Sequence, residues 1–172
     1  DGNGWGHVSP APKVVVNGEY IMGFTSSWRM GQILQYADLP PSKGDYSHRF
    51  FCTSWVDAVR EGFKKSGYLH KEHERESGGQ LLVGGWNFLY RIDDDFHVEG
   101  PCQLAACGAE IAARAALYAL DDIEDIDDIH TPLSKAIGAL RATAKVAGFV
   151  HPPFCVVRCS EGQRPYMETF KE

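Results

Sequence analysis

The residues able to do chemistry in this chain are few and scattered. Five cysteines stand at 52, 102, 107, 155 and 159. An odd number, set in apolar stretches with no C-x-x-C pair, argues against a disulfide scaffold and for a reducing compartment. Cys155 and Cys159 fall in one predicted strand, which puts their thiols roughly 13 Å apart, too far for a single zinc ion. His70 and His73, in the run His70-Lys71-Glu72-His73-Glu74, would share a metal only on a helix, and so polar a run reads as a solvated loop. Asp93-Asp94-Asp95 lacks the alternation and distal glutamate of an EF-hand and reads as an acidic turn. Cys107 opens a helical stretch, where a thiol pKa falls somewhat, yet the sequence identifies no histidine partner that would make it a nucleophile. Lys13, alone ahead of a β-branched run, reads by itself as a solvated strand end, and Ser26-Ser27 as caps for the helix behind them.

These residues sit in a chain of 172, a length at which a domain buries roughly 70% of its unfolded surface. Apolar residues are 44%, charged residues 23%, and 23 acids against 17 bases leave a net charge of −6. That balance excludes a disordered tail, a collagen-like repeat and a basic nucleic-acid-binding domain. No apolar run approaches the roughly 20 residues of a bilayer-spanning helix, and the opening lacks a basic region ahead of a greasy one. The expectation is a soluble, cytoplasmic protein with no nucleic-acid or membrane partner. The sequence opens on Asp1 and not on Met, which leads us to expect chain ahead of it.

The first twelve residues, glycine-rich and holding Pro10 and Pro12, should run as a loop. Val14-Val15-Val16, the turn pair Asn17-Gly18 and the returning run Tyr20 to Thr25 predict a β-hairpin. Trp28, Met30, Ile33, Leu34 and Ala37 recur at helical spacing and stop before Pro40-Pro41. Phe51, Trp55, Val56, Val59 and Phe63 make the apolar stripe of a second helix, with Asp57, Arg60, Glu61 and Lys64 opposite, ending at Ser66-Gly67. A polar loop to Gly79 leads to strands over Gln80 to Trp86 and Phe88 to Ile92, and the acidic turn leads to a third at Phe96-His97-Val98. Gly108 to Leu120 predicts a third helix, and the acidic stretch Asp121 to His130 a solvated connector. Thr131-Pro132 starts a fourth helix carrying Leu133, Ile137, Leu140, Ala144 and Val146 to Gly148. Phe154 to Cys159 is the last predicted strand, and Ser160 to Glu172 a polar tail. With no repeat and no long linker, residues 1–172 read as one α+β domain in which helices layer on antiparallel sheet.

Taken in this order, three segments carry a resemblance. They are Lys13-Val14-Val15-Val16-Asn17-Gly18-Glu19-Tyr20-Ile21-Met22-Gly23-Phe24-Thr25-Ser26-Ser27; Leu81-Leu82-Val83-Gly84-Gly85-Trp86 running into Leu89-Tyr90-Arg91-Ile92-Asp93; and Ala105-Ala106-Cys107-Gly108-Ala109-Glu110-Ile111-Ala112 with Ala119. Together they resemble the proteasome β-subunit family of N-terminal nucleophile (Ntn) hydrolases. Within it the likeness is to HslV and to small HslV-like proteins of actinobacterial and phage genomes. The resemblance implies the later part of a four-layer αββα sandwich whose first two strands precede this sequence. It also implies a threonine-type peptidase, in which an N-terminal threonine freed of its leader attacks the peptide carbonyl, with its own amine or a water as base. Lys13 falls where that family's lysine keeps a positive potential over the nucleophile and lowers its pKa. Thr25-Ser26-Ser27 falls at the oxyanion turn, where a glycine pair is usual, and Ser26 or Ser27 still has a main-chain N–H to give. Cys107, in Ala106-Cys107-Gly108, falls where a serine is usual, and a thiol is the weaker hydrogen-bonding partner. The threonine, and the aspartate that supports the lysine, lie further ahead in the family than the twelve residues before Lys13 reach, so we expect them upstream.

Two functions of different class follow. One is a threonine peptidase working as a homo-oligomeric ring on peptides in an enclosed chamber, with an unfoldase partner belonging to the resemblance. The other is a proteasome-like structural or assembly subunit without peptidase chemistry, such as a virion-associated phage particle component. The Ser-for-Gly and Cys-for-Ser departures and the polar tail are compatible with it. Neither implies a cofactor or a metal. Trp5, Trp28, Trp55 and Trp86 offer aromatic area for contact between copies, although tryptophans are core residues first.

Overall fold

The computed structural model describes residues 12–25, 27–73, 75–103, 105–108, 110–121, 132–147, 150 and 154–170. Residues 1–11 of the expected opening loop, Ser26, residues 122–130 of the expected acidic connector and Thr131 lie outside them, while Asp121 is helical.

Strands β1 (Val14–Asn17) and β2 (Tyr20–Phe24) form the expected hairpin, with Val14 opposite Gly23 and Asn17 opposite Tyr20. This register makes Gly18-Glu19 the connecting loop, one residue later than the Asn17-Gly18 pair predicts. Gly18 takes φ +60° and Glu19 does not enter the positive region, the pattern of a type II′ turn. Asn17 is thereby released for another task. Its Nδ2 donates to the carbonyls of Leu34 at 3.0 Å and Ala37 at 2.8 Å, which satisfies the open end of helix α1 (Trp28–Tyr36). Glu19 accepts from the Ser42 amide at 2.7 Å, the Ser42 hydroxyl at 2.8 Å and the Tyr46 hydroxyl at 2.7 Å. One turn thus pins both a helix end and the loop that follows it.

The second predicted helix is a continuous rod in three parts: α2 (His48–Phe50), a π-helical turn (Phe51–Trp55) and α3 (Val56–Lys65). The Thr53 hydroxyl donates back to the Arg49 carbonyl at 2.8 Å, and the Val56 amide reaches Phe51 O, five residues back. Side-chain back-bonding of this kind loosens the regular ladder. The widened turn keeps Phe51 and Trp55 both fully buried. The polar run after it is a correction: His70 to Ser77 is no loop but an exposed hairpin of β3 (His70–Glu72) and β4 (Arg75–Ser77). Arg60 on α3 anchors it, bonding Glu76 at 2.5 Å and lying 5.6 Å from the Phe96 ring centroid.

Strands β5 (Leu81–Gly84), β6 (Leu89–Ile92) and β7 (Val98–Glu99) continue the first hairpin into an antiparallel sheet ordered β1-β2-β5-β6-β7. Alternation sets its faces. Tyr20, Met22, Phe24, Leu81, Val83, Tyr90, Ile92 and Val98 are buried against Met30, Ile33 and Leu34 of α1 and against Phe51, Trp55, Val59 and Phe63 of the rod. Ring contacts knit this core, with Phe51 4.3 Å from Tyr90 and Phe88 stacked on Tyr46 at 4.6 Å. On the other face Val14, Val16, Ile21, Leu82 and Leu89 are only half-buried.

Helices α4 (Glu110–Asp121) and α5 (Pro132–Val146) pack on each other through Leu117 and Ala139. The second correction concerns the tail: Tyr166–Phe170 is a strand, β9, which pairs antiparallel with β8 (Phe154–Arg158) in full register. Tyr166 and Thr169 are strand-favouring residues, and Tyr166, Met167 and Thr169 stay exposed along it. The fold is α+β with antiparallel sheets. Among the described residues no helix is long and apolar enough to cross a membrane.

Glu19 yields a pH-dependent prediction. Burial pushes its carboxyl up, but the hydrogen bonds from Ser42 and Tyr46 outweigh this and hold it below the usual carboxylate range. Its stabilisation is therefore complete above the unfolded pKa and is lost as pH falls through the folded one. Glu19→Gln is expected to cost about 2 kcal/mol at neutral pH, and less as acid titrates the wild-type carboxylate. Urea melts across pH measure this, and a cost that stays constant into acid would overturn the assignment.

Candidate functional site

Lys13 stands where the mouth of the first hairpin closes. Its carbonyl accepts the Phe24 amide at 3.1 Å, just beyond the last β1–β2 pair, and the Thr25 amide then turns away to Gln80 O at 3.2 Å. The chain folds back so that Lys13 Nζ reaches Thr25 O at 3.3 Å. Below the amine lies the Trp28 indole, with its centroid 5.2 Å from Nζ. Tyr68, after α3, and Cys107, ahead of α4, are near enough for their charge to act on the amine. Burial pushes the Lys13 amine below the usual lysine range, and Coulombic attraction from Tyr68 and Cys107 offsets part of that shift. The strand end is therefore half-buried and held, and not the solvated one that a lone lysine suggests.

The structure thus brings together Lys13, the Thr25 end of the expected oxyanion turn and Cys107. Gly108 completes the junction. It takes φ +75°, and a Cβ there would lie 3.0 Å from Thr25 Cγ2, so a side chain would strain the backbone and crowd the Thr25 methyl. Ser27 is exposed, in extended backbone at the N-cap of α1. Its carbonyl accepts the Met30 amide at 3.0 Å, while its side chain makes no capping bond. Ser26 lies outside the described residues.

The remaining candidates disperse. Cys155 lies in β8 and Cys102 after β7, and burial pushes both thiols up, away from nucleophilic chemistry. All five cysteines are free thiols. Cys52 Sγ lies 3.4 Å from both Nδ1 and Nε2 of His48, a pairing that the i, i+4 spacing could have revealed. An equal distance to both nitrogens puts the sulfur over the ring and not in line with a lone pair, and His48 Nε2 also lies 3.1 Å from Val98 O. His70 is in the exposed hairpin and His73 at its turn. Asp93 bonds Arg91 at 2.5 Å and Asp95 accepts the His97 amide at 3.0 Å, the acidic turn that the sequence predicts. Among the described residues no group of three or more His, Cys, Asp or Glu could hold a metal ion.

No protein-family model and no curated protein matches this sequence. Solved structures do. Thiobacillus denitrificans BPH matches with a TM-score of 0.62 at 18% identity, over 93% of this chain and 79% of that one. The same protein in complex with epoxomicin matches with a TM-score of 0.61 at 18% identity, over 93% and 80%. HslV from Trypanosoma brucei matches with a TM-score of 0.50 at 20% identity, over 82% and 76%. Identities at this level speak to architecture, and the architecture agrees across most of each chain. This protein has the proteasome/HslV-like fold.

Proposed function

We propose that this chain is the larger part of a threonine-type peptidase of the proteasome/HslV kind, with Lys13 as the cation that activates the nucleophile. The observation that carries the reading is the half-buried Lys13 amine, bonded to Thr25 O at the start of the oxyanion turn. A fixed ammonium in partly desolvated surroundings favours an alkoxide beside it more than an exposed one would. In the proposed reaction a threonine carried ahead of this sequence gives its hydroxyl proton to its own amine or to a water. Its Oγ bonds to the peptide carbonyl carbon while main-chain N–H groups at 26–27 receive the oxyanion. The C–N bond then breaks, the proton passes to the leaving amine, and water hydrolyses the ester. Cys107 stands beside this centre as a weak hydrogen-bonding partner. The half-buried face of the sheet supports the rest of the proposal: upstream strands packed over Val14, Val16, Ile21, Leu82 and Leu89 would complete an αββα sandwich. A ring of copies acting on peptides, in the cytoplasm, is the assembly that goes with it.

BPH from Thiobacillus denitrificans is known in complex with epoxomicin, which makes epoxomicin the probe of choice. Intact mass and N-terminal sequencing of the purified full-length protein should find one epoxomicin adduct on an N-terminal threonine. Lys13→Ala should lower peptide turnover at least about 100-fold with its size-exclusion profile unchanged. Full-length protein that takes no label and turns over no peptide would instead be the structural subunit.

Stability offers a separate check on the amine. Its folded pKa lies below the unfolded one, so between the two the unfolded chain binds more protons and wild-type stability rises with pH. Measured against Lys13→Met, which does not titrate there, the wild type should gain thermal stability on going from neutral to alkaline pH. A gap that moves the other way would mean that the fold favours the charged amine.

A further inference from the structure

We propose that Trp28 is a positioning residue of the candidate site, its indole face holding the Lys13 ammonium at the mouth of the first hairpin. The distance of 5.2 Å from Nζ to the ring centroid lies within cation–π range. The ring is half-buried against the core. It meets the Phe24 ring edge-on, with centroids 6.3 Å apart and planes at 88°, and Phe24 is a core residue only 4% exposed. Trp28 is also the first residue of α1, three positions after Thr25. The ammonium is thus held from two directions, by a main-chain carbonyl and by a π face.

Both holders are neutral. Tyr68, after α3, and Cys107, ahead of α4, are among the titratable groups whose charge acts on the amine. The consequence for turnover rests on the peptidase reading, while the positioning itself does not.

The test follows acylation of Lys13 by acetic anhydride in the full chain, read by peptide mass spectrometry from neutral to strongly alkaline pH. Removing the face in Trp28→Leu should move the midpoint of the profile to lower pH, so that Lys13 labels about threefold faster at neutral pH. Trp28→Phe, which keeps a weaker face, should move it less, and it carries the test where the leucine variant does not fold. Loosened packing alone would raise the rate by one factor at every pH without moving the midpoint. That result, or an unmoved midpoint in a folded variant, overturns the proposal. Epoxomicin labelling on the same samples separates the two readings. A moved midpoint in a protein that takes no label overturns the peptidase reading and leaves the positioning, and the converse overturns the positioning alone.

Discussion

Sliding β1 by one residue along β2 would exchange the faces of the sheet's first strand and carry every group at the hairpin mouth with it. The register is therefore held at both ends. At the turn, Asn17 is tied to the end of α1 and Glu19 to Ser42 and Tyr46. At the mouth, the Phe24 amide closes on Lys13 O and the Thr25 amide leaves for Gln80. Between them Tyr20, Met22 and Phe24 go into the core. The position of the Lys13 amine is thus an outcome of strand register, and no flexible loop is asked to supply it.

Glu19 and Lys13 flank the same strand and carry opposite charge, and the fold treats them differently. Both pKa values are lowered, but the sign of the charge reverses the meaning. For the carboxyl, hydrogen bonds outweigh burial and the charged form is favoured by folding. For the amine, burial outweighs its attractions and the charged form is disfavoured. Glu19 is what a structural charge looks like once its surroundings have been arranged for it. Lys13 is a charge kept at some expense to stability, and such groups concentrate where charge has a task. A methionine of similar length would suit the strand end better if packing were the only demand.

Periodicity read the architecture because burial enforced it. The alternation of β2 and the stripe Phe51, Trp55, Val59 and Phe63 are both fully expressed in the core. It failed at strands whose described side chains are polar or exposed for the most part. His70 to Ser77 and Tyr166 to Phe170 are held by backbone pairing and ion pairs such as Arg60 with Glu76 and Arg158 with Glu168, and polar composition hides such strands. The turn was misplaced by one residue because Asn17 had distant carbonyls to bond, which no local preference reveals. At the candidate site, Lys13, Thr25 and Cys107 were legible through resemblance to a family. Trp28 and Tyr68 were not, because a half-buried aromatic in a helical stripe looks like any other core residue until the chain folds it against a cation.

The half-buried face of the sheet carries its own argument about assembly. Val14, Val16, Ile21, Leu82 and Leu89 would make it a plain apolar surface, and exposed surfaces of that kind associate. Arg91 interrupts it, bonded to Asp93 at 2.5 Å and Glu99 at 2.9 Å, with Arg114 reaching Glu99 at 3.6 Å. An arginine so clamped can accept a covering layer only where that layer leaves the β6–β7 end open or brings polar groups to it. Three of the apolar residues, Val14, Val16 and Ile21, lie on β1 and β2, and β8 approaches β1. A covering layer would therefore seat over the hairpin end of the sheet, directly behind the strand that carries Lys13.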